Sequence, residues 1–489
     1  MVKDITFNSV VEAVFDKADK DPDKLALADD NNHVTYKEYK DQILRYSAVL
    51  LSLGIEKNDK VTVEACQSID YLTLELAVQL IGAVFVPFEN NCANEKAISF
   101  RERVNSKFIV SKKEYEGLNY SYNRLNELAV NVEPYKDYVF PAKDDVSEIL
   151  FSTGTTGKEK GIVLTHKNDI ALASNVIHGV EMEEDNVEMI PSPLNHSHGL
   201  RRYYANMVKG ATVIILGSVM NIKKFFRNLD EYKVNSMDMV PTALSVVLKL
   251  SKNRLGDYKD RIRYIQLGAA PLIKEDKEKI CALLPDSRLY NFYGSTESGC
   301  IVIYNFNKEN AKDNCIGKAA VNAEIIVVDE NRNVIESSKE KTGLLACKGD
   351  MNMSGYWEDK EETEKVLADG IIYTNDEVYF DDDGDIILLG RKGDVINSAG
   401  NKIAPEEIEN AARKIEGIKD AACIGIYDKT RGSVPKLFVV MDKGYQFDKS
   451  LIRKSLGEML EPYKVPAVIE EINEIPRTFN GKILRRELH

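Results

Sequence analysis

The chain has no uninterrupted apolar stretch approaching the roughly 20 residues that a membrane-spanning helix needs, which argues against an integral membrane protein. Its start, MVKDITFNSVVEAVFDKADKDPDK, lacks the apolar segment of a secretory signal, so the expected location is the cytoplasm. Cysteine is sparse. The seven are scattered at 66, 92, 281, 300, 315, 347 and 423 with no CxxC pair, which excludes the usual zinc and dithiol motifs and is read as reduced core residues. Positive charge is in deficit: 65 basic against 78 acidic residues leave a net charge of -13, which disfavours nucleic acid as the main partner. Repeats and low-complexity linkers are also missing, so any domain junction must be a short hinge.

What is present is enough apolar residue, 44%, and enough length, 489 residues, for more than one core. From Thr35 to about Leu284, helical patterns such as TYKEYKDQILRYSAVLLSLG alternate with β-branched runs such as KVTVEAC, AVFVPF, KFIVS and ATVIIL, the signature of an α/β protein with parallel strands. From about Asn322, AEIIVVDENRNVI, GLLACKG and EVYFDDDGDIILLG predict strands joined by tight polar turns. After Gly390, PEEIENAARKIEG, DAACIGIYD, KLFVVMD and LIRKSLGEML predict a small α+β unit.

One loop stands apart. FSTGTTGKEKG at 151–161 follows the apolar pair Ile149 and Leu150. Gly154 and Gly157 let successive N–H groups turn inward on an anion, Thr153, Thr155 and Thr156 add hydroxyls, and Lys158 and Lys160 add charge. The composition suits a polyphosphate, and equally an ordinary flexible turn. It is not the P-loop of nucleotide hydrolases, because Glu159 falls where the second glycine belongs.

STGTTGKEKG resembles the phosphate-loop signature of the acyl-adenylate-forming enzymes, the group of acyl-CoA synthetases, luciferases and peptide-synthetase adenylation domains. Further motifs follow in that family's order: LGAAPL at 267–272, YNFYGSTESG at 290–299, CKGDMNMSGYWEDKEET at 347–363, YTNDEVYFDDDGDIILLGRKGD at 373–394, NSAGNKIAPEEIE at 397–409 and PRTFNGKILRREL at 476–488. The resemblance implies a large N-terminal adenylate-forming domain with mixed sheets and a β-hairpin subdomain over 1–390, a hinge at 391–394, and a small mobile C-terminal domain over 395–489. It also implies ATP, magnesium and coenzyme A, or the phosphopantetheine of a separate carrier protein, as the reactants and cofactors that act with a small carboxylic acid.

Residue by residue, the resemblance assigns nucleotide contacts to Thr153, Gly154, Thr155, Thr156, Gly157, Lys158 and Lys160, to Gly268, Ala269 and Ala270, and to Asn291, Phe292, Tyr293, Gly294, Ser295 and Thr296. Glu297 with Thr155 would hold magnesium, Asp376 would accept from ribose hydroxyls, and Arg391 would offer donors to ribose or phosphate. Lys482 would be the catalytic cation between carboxylate and α-phosphate, His196 would lie beside the carboxylate, and Gly400 would approach the thiol after the C-terminal domain swings. Gly393 aligns with the hinge position, where proline is expected to spare adenylate formation and block the later rotation.

Other readings are weaker. His196 and His198 form an HxH pair without a third metal ligand nearby. DDDGD at 381–385 lacks the glycine and glutamate of a calcium-binding EF-hand, since Ile386 and Lys392 stand there, and reads as a hairpin turn. NHSHGL carries no Asp to hold an α-ammonium group, which disfavours amino acids. A non-catalytic nucleotide sensor remains the alternative from another class. Arg201, Arg202 and Arg263 raise the possibility of a second substrate carboxylate, although surface solvation is the expected role of all three.

Overall fold

The structure is a computed structural model, and it describes residues 5–112, 119–153, 159–268, 272–308, 311–312, 314–398, 401–477 and 481–489. Among these residues, three sheets organise the chain. The fourteen-stranded sheet has a parallel centre: Leu25–Ala28, Thr212–Ile215, Val187–Ile190, Ser236–Met239, Tyr264–Leu267 and Arg288–Ser295 run side by side in one direction. It then continues antiparallel through Gly299–Asn305, Cys315–Ala319, Ile386–Arg391, Ile371–Phe380, Gly343–Lys348 and Glu324–Val328, the hairpins expected from the polar turns. The seven-stranded sheet is ordered Gly355–Tyr356, Glu159–Thr165, Val146–Thr153, Val84–Phe88, Lys60–Glu64, Ile109–Ser111 and Asn119–Ser121.

One core cluster draws on both large sheets and the helices Tyr36–Ser52, Ile69–Leu80, His166–Gly179 and Ser197–Lys209. Tyr36–Ser52 starts in a capping box, with Thr35 and Glu38 satisfying each other's backbone N–H groups. Ile69–Leu80 is buried at every position but Asp70. A helix buried all round needs apolar residues on every face, and IDYLTLELAVQL supplies them except at Thr73, whose hydroxyl donates to the Ile69 carbonyl, and at Glu75 and Gln79. Glu75 and Gln79 belong to a buried polar network. Arg201 Nη1 donates to Glu148 Oε1 at 2.6 Å and to Asp169 Oδ1 at 2.7 Å, Ser147 Oγ donates to Asp169 Oδ2 at 2.6 Å, and the Tyr204 hydroxyl, with one proton to give, bridges Glu75 and Glu148 Oε2.

Burial, then the neighbouring Glu148 charge, raises the Glu75 and Asp169 carboxyls above the usual carboxylate range. Both therefore hold their protons more tightly than exposed acids do, and Arg201 balances what charge remains. Surface solvation is thus wrong for Arg201 and Arg202, which are 3% and 2% exposed. It holds for Arg263, which pairs with Glu183 and Asp185 on the exterior.

The five-stranded sheet is built only from C-terminal strands: Asn401–Ile403, Ile396–Ser398, Gly432–Met441, Ile418–Asp428 and Val468–Glu471. Helices Pro405–Arg413 and Lys449–Met459 pack on it around Ile408, Leu437 and Leu456 in a separate core. All seven cysteines are free, four of them buried and three partly buried. No helix of the described residues is long and apolar enough to cross a membrane.

Removing Arg201 leaves buried carboxylates without their counter-charge, so Arg201→Met should lower unfolding stability by about 3–5 kcal/mol at pH 8. The penalty should shrink toward pH 6, because carboxyls with raised pKa values take up protons there and become neutral. Urea unfolding at the two pH values measures both effects. An equal loss at both would mean that Arg201 does not balance this charge.

Candidate active site

Strand Arg288–Ser295 folds back on Gly299–Asn305, and the turn between them carries Thr296 and Glu297. Asn291, Phe292, Tyr293, Gly294 and Ser295 lie on the first strand, and Gly268 directly follows Tyr264–Leu267. Both strands belong to the parallel centre, where ligands settle at carboxyl ends. Antiparallel register places Asp376 opposite Arg391. Arg391 Nε lies 3.4 Å from Asp376 Oδ1, and the Tyr293 hydroxyl donates to Asp376 Oδ2. Burial and the Asp376 charge raise the Tyr293 hydroxyl well above the ordinary tyrosine range, which keeps it a donor.

Tyr356 Oη donates to Glu297 Oε1 at 2.9 Å, and Met353 N donates to the Glu297 carbonyl at 2.8 Å. Strand Gly355–Tyr356 pairs with Glu159–Thr165, which brings Lys160 to 4.8 Å from the centre of the Tyr356 ring. Lys160 Nζ also donates to Glu362 Oε2 at 2.5 Å. Tyr356 and Glu362 were not singled out from sequence. The motif containing them was visible, but a tyrosine and a glutamate without partners carry no signal of their own.

His196 caps helix Ser197–Lys209 without a side-chain hydrogen bond to it. Burial, and to a lesser extent His198, lowers its pKa, so the neutral imidazole is favoured. His198 turns elsewhere. Its Nε2 lies 2.8 Å from Asp238 Oδ1, and its ring lies where a side chain on residue 268 would be, with His198 Cε1 2.7 Å from a Cβ built there. Among the described residues, the metal-ligand geometry found is that of Asp381, Asp383 and Asp385, not of the histidine pair. Lys312 Nζ reaches all three carboxylates at 2.5, 2.7 and 2.8 Å, so the turn is closed by an ammonium.

Lys482 reaches this site from the chain's end. Although the residue as a whole is exposed, its ammonium end is enclosed by protein, and that desolvation lowers its pKa. Arg391 lowers it further, while Asp376 and Glu297 act in the opposite sense, so all three lie within electrostatic reach. The structure thus brings together Lys482, Arg391, Asp376, Tyr293 and Glu297. Gly154, Thr155, Thr156, Gly157, Lys158, Ala269, Ala270 and Gly400 lie outside the described residues, and Thr153 is described as the end of strand Val146–Thr153. The Glu297 carboxylate offers the hard oxygen donor that magnesium prefers.

The junction is a tight turn in which Asp394 N and Val395 N both donate to the Arg391 carbonyl. Gly393 sits there at φ 99 with no atom within 4 Å of a built Cβ. Proline, fixed near -65°, cannot adopt that angle. The expectation that proline spares this arrangement is overturned, because Gly393→Pro opposes the very conformation that holds Lys482 beside Asp376.

Gly481 marks the second contact. Its φ is 83, and a built Cβ would lie 2.8 Å from Thr242 Cγ2 at the start of helix Pro241–Ser251. Gly481→Ala should cost about 1–3 kcal/mol in this docked state. Hydrogen exchange at residues 242–244 and 481–484 should accelerate, with protection of the five-stranded sheet unchanged. Unaltered exchange at both segments would mean that the contact does not hold Lys482 in place.

Comparison with known proteins agrees with this geometry. Residues 14–357 match the family described as AMP-binding enzyme, and residues 407–482 match the AMP-binding enzyme C-terminal domain. A 2-succinylbenzoate–CoA ligase of Listeria monocytogenes is 29% identical, covering 96% of this chain and 96% of its own. A 4-coumarate:CoA ligase of Petunia hybrida is 26% identical over 94% of this chain and 89% of its own. Among solved structures, ATP-bound MatB from Rhodopseudomonas palustris superposes with a TM-score of 0.87 at 23% identity, over 99% of this chain and 98% of that one. The o-succinylbenzoate CoA synthetase of Bacillus subtilis with its acyl-adenylate gives 0.83 at 23% identity, over 97% of each chain. With both of its parts matched in order, the chain belongs to the AMP-binding enzyme family.

Proposed function

We propose that this protein is an AMP-forming acid:CoA ligase. A carboxylate oxygen of the acid attacks the α-phosphorus of ATP, the bond to the β-phosphate oxygen breaks, and pyrophosphate leaves. The thiol of coenzyme A then attacks the acyl carbon of the adenylate, and AMP leaves with the bonding electron pair. The observation that carries the reading is the convergence of Lys482 with Asp376, Arg391 and Glu297 from two separately packed parts of the chain. Two anions must meet in the first step, and a preorganised cation between them offsets their repulsion.

Asp376 is the ribose acceptor in this scheme, oriented by Tyr293 and Arg391. Lys482 spans the substrate carboxylate and the α-phosphate, and the neutral His196 lies beside that carboxylate. Lys160, steadied by Glu362 and the Tyr356 ring, adds charge at the end of the phosphate loop. Glu297 with Thr155 would hold magnesium, whose charge on the phosphates favours loss of pyrophosphate. Relatives named as CoA ligases support coenzyme A as the acceptor.

The direct test is the product pair. Purified protein given ATP, magnesium, coenzyme A and a panel of carboxylic acids should release AMP and pyrophosphate in equal amounts, and stoichiometric ADP would defeat the reading.

The two half-reactions can be separated. Lys482→Ala should slow adenylate formation by at least 100-fold, on the order of 3 kcal/mol of lost electrostatic stabilisation. Conversion of supplied acyl-adenylate and coenzyme A should be affected much less, because the lysine's work is then finished. Gly393→Pro should show the same bias, since it disfavours the state that presents Lys482. Single-turnover assays of both variants measure this. Equal slowing of both half-reactions would contradict rotation about the 391–394 turn.

A further inference from the structure

Lys482 can serve as the proposed cation only if its ammonium arrives at one place, and its flexible four-carbon stem leaves that to the backbone that launches it. The tail of the chain is attached to the C-terminal sheet by an apolar seam, in which Ile475, Ile483 and Leu488 pack with Ala422, Phe438 and Val440. Such contacts are non-directional, and hold the tail without aiming the lysine. Within the tail two legs pair: Arg477 lies opposite Ile483 in an antiparallel bridge, and Leu484 N donates to the Pro476 carbonyl at 2.8 Å.

Direction comes from polar contacts on either side of the lysine. Arg477 Nη1 donates to the Gly481 carbonyl at 2.8 Å, while its Nη2 donates to both carboxylate oxygens of Asp420 at 2.9 Å. The Gly481 carbonyl and the Lys482 N–H belong to one planar peptide, so this guanidinium fixes the plane from which the Lys482 side chain departs. Asp420 stands on strand Ile418–Asp428, where its Oδ1 also accepts from Ala421 N at 2.8 Å and from Arg413 Nε at 3.2 Å. On the other side of the lysine, Arg485 Nη1 donates to Glu409 and, at 2.8 Å, to the Cys423 carbonyl of the same strand. The Arg477 and Asp420 side chains are 33% and 27% exposed, and an ion pair that open adds little stability. Its contribution is geometric.

We propose that Asp420 and Arg477 are positioning residues for adenylate formation: Asp420 orients the Arg477 guanidinium, which orients the 481–482 peptide and so aims Lys482 at the site of Asp376 and Glu297. The proposal rests on the acid:CoA ligase reading. Both Nη atoms of Arg477 are engaged inside the C-terminal unit, so its part is played through Lys482. Gly481 is then held from two sides, by Thr242 of the large domain and by Arg477 of its own. A lysine at 477 would keep the charge, but one ammonium lacks the fork that meets a carboxylate and a carbonyl from two nitrogens. Once Lys482 is withdrawn the pair has nothing to aim, which confines its effect to the first half-reaction.

The test uses the full chain with ATP, magnesium, coenzyme A and an acid taken from the panel above, and reads the two half-reactions separately in single turnovers. Arg477→Met should slow adenylate formation roughly 10- to 100-fold, the cost of a misplaced reacting group, with the KM for ATP nearly unchanged. Asp420→Asn should act in the same direction, and Arg477→Lys should recover part of the lost rate. Conversion of supplied acyl-adenylate and coenzyme A should stay within about threefold of the wild type, and the urea midpoint should hardly move. The deciding measurement repeats the change in a Lys482→Ala background. With no lysine to aim, Arg477→Met should there cost no more than about twofold. If Arg477→Met does not fold, Asp420→Asn in both backgrounds decides instead. An undiminished loss in the Lys482→Ala background, equal slowing of both half-reactions, or a raised KM for ATP at constant rate gives Arg477 a different role and overturns the inference while leaving the ligase reading intact. Wild-type adenylate formation in both variants does the same. Release of no pyrophosphate by the wild-type chain with any acid overturns the ligase reading, and this inference with it.

Discussion

Two consecutive arginines tie helix Ser197–Lys209 to the two large sheets at once. Successive residues of a helix point about 100° apart, so Arg201 and Arg202 face different neighbours. Arg201 reaches Glu148 on the strand that runs into the phosphate loop, whereas Arg202 reaches Asp238 in the parallel centre of the other sheet. Each guanidinium sits in a space from which water is excluded, where an unmatched charge is expensive. The helix can therefore occupy only the rotation and height that satisfy both carboxylates. His196 and His198, at its first turn, inherit that placement, and the proposed phosphate-binding and acyl-binding sides of the site are held in fixed relation.

The C-terminal unit, the proposed moving part, is held by much lighter contacts. The C-terminal sheet has its own core, and the described contacts that cross to the large domain include Lys402 with the buried Glu377, Lys392 with Glu330, and the Gly481 turn against the Thr242 methyl group. The Lys392 pair is exposed, and such pairs contribute little individually. The rotation proposed about the 391–394 turn would break few contacts, and Gly393, with no atom within 4 Å of a built Cβ, leaves room for it.

Much of this was legible in the sequence. Periodicity located Tyr36–Ser52, Lys60–Glu64, Val84–Phe88 and the hairpins after Asn322, because each is specified by neighbours a few residues away. Ordered motifs named Tyr293, Glu297, Asp376, Arg391 and Lys482 before any geometry was known. What stayed hidden depends on pairing at long range. Arg201 and Arg202 look like solvated arginines until Glu148 and Asp238, 53 and 36 positions away, are brought against them. The angle of Gly393 was likewise invisible, since glycine permits both signs of φ and only the folded turn selects one.

The acidic turn at 381–385 joins the two strands that carry Asp376 and Arg391. Because the ammonium of Lys312 occupies the centre of its three carboxylates, the turn supplies its own counterion from within the chain. Its geometry, and with it the register of the strands that lead to the proposed nucleotide site, therefore needs no divalent ion to offset the three carboxylates.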